Sequence, residues 1–201
     1  MSSKALEMAR ELVKQLEEAE KTNKVQLSEL KAGEVFKIGE HDFIVLEQFA
    51  GTTRVISKNL MAENVTFDTN TRNYENSSLK KYIENNIQPI IEAEVGEENI
   101  VTSTVDLISV DMQHEFSNKC ECAVRPLTFG EAREYNNLLV NEKLNDWWWT
   151  CTPWSTHSRG YTRSIAVVSP SGYFDFNRYS IGDGVRPFCI LKSNIFVSKG
   201  E

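Results

Sequence analysis

The residues of this chain best equipped for covalent or metal chemistry are its four cysteines, Cys120, Cys122, Cys151 and Cys189, and its three histidines, His41, His114 and His157. No two cysteines form a C-x-x-C pair. Cys120-Glu121-Cys122 is a C-x-C, without the gap of about two to four residues typical of structural zinc. The N-terminus is charged and carries no apolar signal-peptide core, so the expectation is free thiols in a reducing compartment. The exception left open is Cys151 with Cys189, should their strands pair closely enough for a disulfide. The histidines are scattered and no catalytic constellation stands out. The reading is therefore no metal, no cofactor and no enzyme.

A different chemistry, that of contact, gathers between Trp147 and Leu191. All four tryptophans fall in eight positions, at Trp147, Trp148, Trp149 and Trp154. After them come Ser155, Thr156, His157, Ser158, Arg159, Tyr161, Thr162 and Arg163, then Tyr173, Asp175, Asn177, Arg178 and Tyr179. Rigid amphipathic rings with small adaptable polar groups suit a contact surface, because they give area at low entropic cost. The candidate ligand-binding residues are Trp154, Thr156, His157, Arg159, Tyr161, Arg163, Tyr173, Asp175, Asn177 and Tyr179. Trp154, past Pro153 in a polar loop, is the candidate for an exposed platform.

The elements that must position these residues follow from periodicity. Three consecutive tryptophans on a strand cannot share a face, so Trp148 points away from Trp147 and Trp149. Ser169-Pro170-Ser171-Gly172 is a strong turn between a segment 161–168 and a returning segment 173–179. Alternation places Phe174 and Phe176 on a buried face, with Tyr173, Asp175, Asn177 and Tyr179 presented. Arg186, in Gly184-Val185-Arg186-Pro187, reads as structural, since its planar fork can bond several carbonyls at once. Residues 193–197 supply a last edge strand.

Upstream, 34–38, 42–48 and 53–57 read as a β-meander with turns at Gly39-Glu40 and Ala50-Gly51. A helix starts at Ser77 or Ser78. Pro89 opens another in its first turn, and Gly96 ends it. Thr128-Phe129-Gly130-Glu131 is a capping box for a helix running through Leu139. Residues 4–21 form a helix of good formers with an apolar stripe of Leu6, Ala9, Val13 and Leu16, widened by Met8 and Leu12. Such a helix is marginal alone. Packing on its own domain and joining copies into a homo-oligomer both stand. The organisation is a helix over 1–24 and one domain over 25–201.

The composition of 201 residues, 40% hydrophobic and 25% charged, is that of a globular chain with a real core. A net charge of −7 argues against nucleic acid, which needs a basic stripe. No apolar run is long enough for a membrane span. With no secretory signal in view, the expected location is cytoplasmic or virion-associated.

The motif W-W-x-x-[ST]-P (Trp148, Trp149, Thr152, Pro153), a turn at Gly172 and Gly184-Val185-Arg186-Pro187 resemble an uncharacterised bacterial and phage domain family. Phe67-Asp68, Ser77 to Tyr82, Asp106-Leu107, Arg125 to Thr128 and Glu131 fit it too, so the resemblance runs from about Gly33 to Val197. It implies an α+β, C-type-lectin-like fold near the formylglycine-generating-enzyme group, with short antiparallel sheets and two or three helices. The same broad fold carries the variable proteins of diversity-generating retroelements, whose diversified surface lies where 154–163 and 173–179 fall here. The resemblance thus implies a non-enzymatic receptor-binding protein whose partner is a protein or carbohydrate on a cell surface. Two other classes stay in view. One is a structural or virion-decoration subunit. The other is a formylglycine-generating-type oxidase, for which Cys151 and Cys189 do not reproduce the family's cysteine motif.

Overall fold

The computed structural model describes residues 6–8, 10–13, 24–116 and 119–200. Residues 6–8 and 10–13 are helical (α1), and Leu6, Met8, Leu12 and Val13 on it are exposed. The rest of the expected helix over 4–21 lies outside the described residues. The chain joins the main sheet at β1 (Lys24–Gln26), which pairs antiparallel with β14 (Phe196–Lys199) near the other end of the sequence.

The expected meander forms as β2 (Val35–Ile38), β3 (His41–Phe49) and β4 (Thr52–Ser57). These strands lie in a seven-stranded sheet of order β1-β14-β2-β3-β4-β13-β8, with β8 at Val124–Arg125 and β13 at Phe188–Lys192. A five-stranded sheet has the order β11-β10-β9-β12-β5. Its members are β5 (Ala62–Thr66), β9 (Trp148–Pro153), β10 (Ser164–Val168), β11 (Phe174–Arg178) and β12 (Gly182–Val185). A small hairpin pairs β6 (Ser103–Asp106) with β7 (Lys119–Cys122). The fold is α+β with mostly antiparallel pairing; β12 runs parallel to β9.

The helices are short. α2 (Ser78–Tyr82) is capped by Ser77, whose hydroxyl accepts from the Lys80 N–H. The Asp68 carboxylate accepts from the Asn70, Thr71 and Ser78 N–H groups and the Ser78 hydroxyl. A π-helical turn (Ile83–Ile87) leads into α3 (Gln88–Val95), with Pro89 in its first turn and Gly96 closing it at φ 83°. The helix expected through Leu139 breaks at Tyr135 into α4 (Phe129–Glu134) and α5 (Asn136–Leu139). The capping box is present. The Thr128 hydroxyl accepts from the Glu131 N–H, and Glu131 accepts from the Thr128 N–H at 2.8 Å.

Two apolar clusters divide the interior, and β3 serves both. Phe43 and Val45 enter one with Ile83, Ile87, Ile91, Trp149, Cys151, Ile165 and Val167. Ile44 and Leu46 enter the other with Leu127, Leu139, Trp148, Val168 and Phe188. Trp148 and Trp149 therefore sit on opposite faces of β9, as strand alternation requires, and Trp147 packs on the Trp149 side. A Cβ on Gly184 would lie 2.6 Å from Leu60 and 2.9 Å from the Trp147 carbonyl, so only glycine lets β12 run this close.

One expectation is corrected here. The C-terminal strand is not an edge, because β1 flanks it; a pairing partner some 170 residues upstream leaves no local trace.

Candidate functional site

The contact-rich residues divide across the two faces of β11. The strand pairs with β10 so that Phe174, Phe176 and Arg178 face the same way as Val168, Ala166 and Ser164. Asp175 and Asn177 oppose Val167 and Ile165 on the other face. The first face continues into the loop after β9. Phe129 meets Phe174 at 5.1 Å between ring centroids and Trp154 at 6.5 Å. Trp154 meets Phe176 at 5.2 Å, and Tyr161 meets it edge-on at 5.9 Å.

The result is a strip of five contiguous rings: Phe129, Phe174, Trp154, Phe176 and Tyr161. Phe176 is 43% and Tyr161 37% exposed, while Trp154, Phe129 and Phe174 are half-buried. Arg133 lies over Phe129 at 5.7 Å, and Arg178 follows Phe176 on the same face of β11. Both arginines are exposed, and among the described residues neither pairs with a carboxylate. Rings with a quadrupole and bare guanidinium groups give stacking and charge together.

This corrects the expected surface. Phe176 is not core: β11 is the sheet edge, and the ring stays 43% exposed with Trp154 and Tyr161 packed on it. Trp154 and Tyr161 are brought together with Phe176, not with Tyr173, Asp175, Asn177 and Tyr179. On the opposite face Tyr173 stands 65% exposed against Trp147, at 6.2 Å, and Tyr179 is half-buried against the main core.

Asp175 and Asn177 have a local task. The inward N–H groups of β11 belong to its odd-numbered residues, in step with the Tyr179 N–H that donates to the Arg163 carbonyl. The outward N–H groups of Phe176 and Arg178 are capped by the Asp175 and Asn177 side chains at 2.8 and 2.9 Å. This blunts an edge that would otherwise offer free donors. Asn177 also donates to Asp183 at 2.9 Å. Burial pushes the Asp183 carboxyl up to about 7, against that hydrogen bond and with the nearby Asp146 charge adding to the rise.

Loop 155–161 is tied down more than a free paratope would be. Arg72, 4% exposed, donates to the Ser155 carbonyl and to both carboxylate oxygens of Glu115. Glu115 accepts in turn from the His157 N–H. Asp111 accepts from the Ser109 and Ser155 hydroxyls, each at 2.6 Å, and from Arg159 at 2.7 Å. Those hydroxyls first, and then Arg159, hold the Asp111 carboxyl below its ordinary range. Arg159 is thus an anchor. Thr156 is buried with its hydroxyl at 3.0 Å from Ser158, which corrects its expected place on the surface. The side chains of His157 and Arg163 are exposed.

Phe129, Phe176, Arg133 and Arg178 were missed as site residues. The even-numbered register Phe174, Phe176, Arg178 carried a signal, since an arginine continuing an apolar row marks where burial stops. Beside the strip, a cleft of about 390 Å³ opens between segment 104–112 and α4, and Phe129 and Arg133 line it too.

All four cysteines are buried thiols; Cys151 and Cys189 lie on β9 and β13, in different sheets. Among the described residues no group of three or more His, Cys, Asp or Glu side chains is placed to hold a metal ion. No family model, curated protein or solved structure matches the chain.

Proposed function

We propose that this chain is a non-enzymatic binding protein on a C-type-lectin-like scaffold, which presents the ring strip to a protein or carbohydrate on a cell surface. The observation that carries the reading is the exposed run Phe176–Tyr161 joined to Trp154 and flanked by two unpaired arginines. Rings in that arrangement suit stacking on a sugar face or on apolar side chains, and they are the residue types that dominate binding energetics. The latch formed by Arg72, Glu115 and Asp111 supports the same reading, because a pre-ordered loop loses less entropy on binding. The oxidase reading draws less support. Burial pushes the Cys151 and Cys189 thiols up to about 12, far from the thiolate such chemistry uses. The test is binding of the labelled chain to intact bacterial cells and to a glycan panel. Phe176→Ala and Tyr161→Ala should abolish a signal that Tyr173→Ala retains; equal binding by all three would discard this face.

A second reading, assembly of copies, rests on the exposed Leu6, Met8, Leu12 and Val13 of α1. It is compatible with the first, since several copies would add avidity.

A further inference from the structure

Cys120 and Cys122 alternate onto one face of β7, and their sulfurs lie 3.3 Å apart. The two are not equivalent. Cys120 lines a cavity of about 460 Å³ together with Glu75, Lys80, Thr104, Lys119 and Glu121. Both sulfurs belong to the main core and are buried alongside Cys151, but Cys122 does not line that cavity. We infer that Cys120 and Cys122 are a thiol–disulfide exchange site, in which Cys120 attacks a small-molecule disulfide entering this cavity and Cys122 resolves the product. This is a modification site of the protein itself and is independent of the ring strip.

The chemistry balances. The Cys120 thiolate attacks one sulfur of RS–SR, forming a mixed disulfide and expelling RS⁻. Cys122 then attacks the Cys120 sulfur, closing the intramolecular bond and expelling the second RS⁻. The two thiol protons end on two RSH, so the protein loses two electrons and two protons, and the small disulfide gains them. Closure brings the sulfurs from 3.3 Å to about 2.05 Å. The Cα atoms of strand neighbours i and i+2 lie about 6.6 Å apart, near the upper end of what a disulfide spans, so a slight contraction of β7 suffices.

The electrostatics run the same way. The hydrogen bond from Cys122, and then the Lys80 ammonium, hold the Cys120 thiol below its ordinary value against the opposing effect of burial. That same contact, with burial added, pushes Cys122 up. A thiolate at the cavity and a thiol behind it are the order that attack followed by resolution needs.

The experiment treats the full chain with excess glutathione disulfide, quenches in acid, alkylates under denaturing conditions and reads intact mass with peptide mapping. Wild type should carry two alkyl groups instead of four and map the bond to Cys120 and Cys122. Cys122→Ser should stop at one glutathione on Cys120, whereas Cys120→Ser should react roughly tenfold or more slowly. Four alkylated cysteines in the treated wild type, a bond mapped to Cys151 or Cys189, or equal reaction of the two variants would overturn the assignment. The wild-type measurement stands even if a variant fails to fold.

Discussion

The guanidinium of Arg186 lies over the Trp148 ring, 5.1 Å from its centroid, fully buried and with no carboxylate partner among the described residues. It donates to the Ser57 carbonyl at 3.1 Å and the Leu139 carbonyl at 2.8 Å, and so ties β4 and α5 to the link between β12 and β13. Its Nη2 and the Trp148 indole N–H find no acceptor among the described residues. Burial alone pushes its pKa down to about 10.

Arg186→Met keeps the volume and removes the buried charge but strands two carbonyls, each costing about 1–3 kcal/mol when unpaired and buried. We expect a net loss of about 2–4 kcal/mol in urea unfolding, and at least as large a loss for Arg186→Lys, whose single ammonium cannot fork between both carbonyls. Unchanged stability in both variants would mean the fork holds nothing together.

The ring strip separates stability from binding. Phe176→Ala removes a ring that solvent already reaches, so it should cost under about 1 kcal/mol of stability while removing about 1–4 kcal/mol of ligand binding. Phe174→Ala, packed on Phe129 and the second cluster, should cost about 1–3 kcal/mol of stability. Thermal melts paired with the cell-binding assay check both; a large stability loss at Phe176 would put that ring in the core.

How far this was legible varies by element. The meander, the Thr128–Glu131 capping box, the Ser169–Gly172 turn and the split of Trp148 from Trp149 depend on local chemistry and period, and the structure contains them. The faces of β11 were not legible. Alternation states that Phe174 and Phe176 share a face, but only the sheet order shows that the strand is an edge. Phe129, some forty-five residues upstream, ends up as the neighbour that covers Phe174 and leaves Phe176 open. The hold of Arg72 on Ser155 and Glu115 is likewise non-local, and no spacing announces it.

That hold predicts the behaviour of loop 155–161. Removing one partner of a buried ion pair leaves an uncompensated group and costs about 3–5 kcal/mol; Glu115 is partly exposed, which lowers the figure to about 2–3 kcal/mol. Arg72→Gln should lose that much, and trypsin should cut after Arg159 at least tenfold faster than in wild type. Equal cleavage rates would mean the loop is ordered without the latch.

The N-terminal helix allows a direct test of assembly. Because β1 begins at Lys24, a chain starting at Lys24 should retain its near-UV circular dichroism. Light scattering should show it as a monomer, with the full chain as an oligomer. A monomeric full chain would end the assembly reading, and a molten truncated chain would place the helix in the core.

Asp183 sets a pH dependence whose sign can be worked out. Its carboxyl is pushed from 3.8 to about 7 in the folded protein, chiefly by burial. A raised folded-state value means the native chain binds this proton more tightly than the unfolded chain. The resulting stability is fully present below about pH 4 and is lost as pH rises towards 7. Asp68, Asp111 and Glu131, all held below their ordinary values, act oppositely and lose their contribution as pH falls. The wild-type profile is therefore a difference of the two, and Asp183→Asn isolates one side. Asparagine keeps an acceptor for the Asn177 amide and cannot ionise. The variant should match wild type near pH 4 and exceed it at pH 8 by at least about 1–2 kcal/mol. Urea melts of both chains at pH 4, 6 and 8 make the comparison. A variant no more stable than wild type at pH 8 would show that Asp183 is ionised there without penalty.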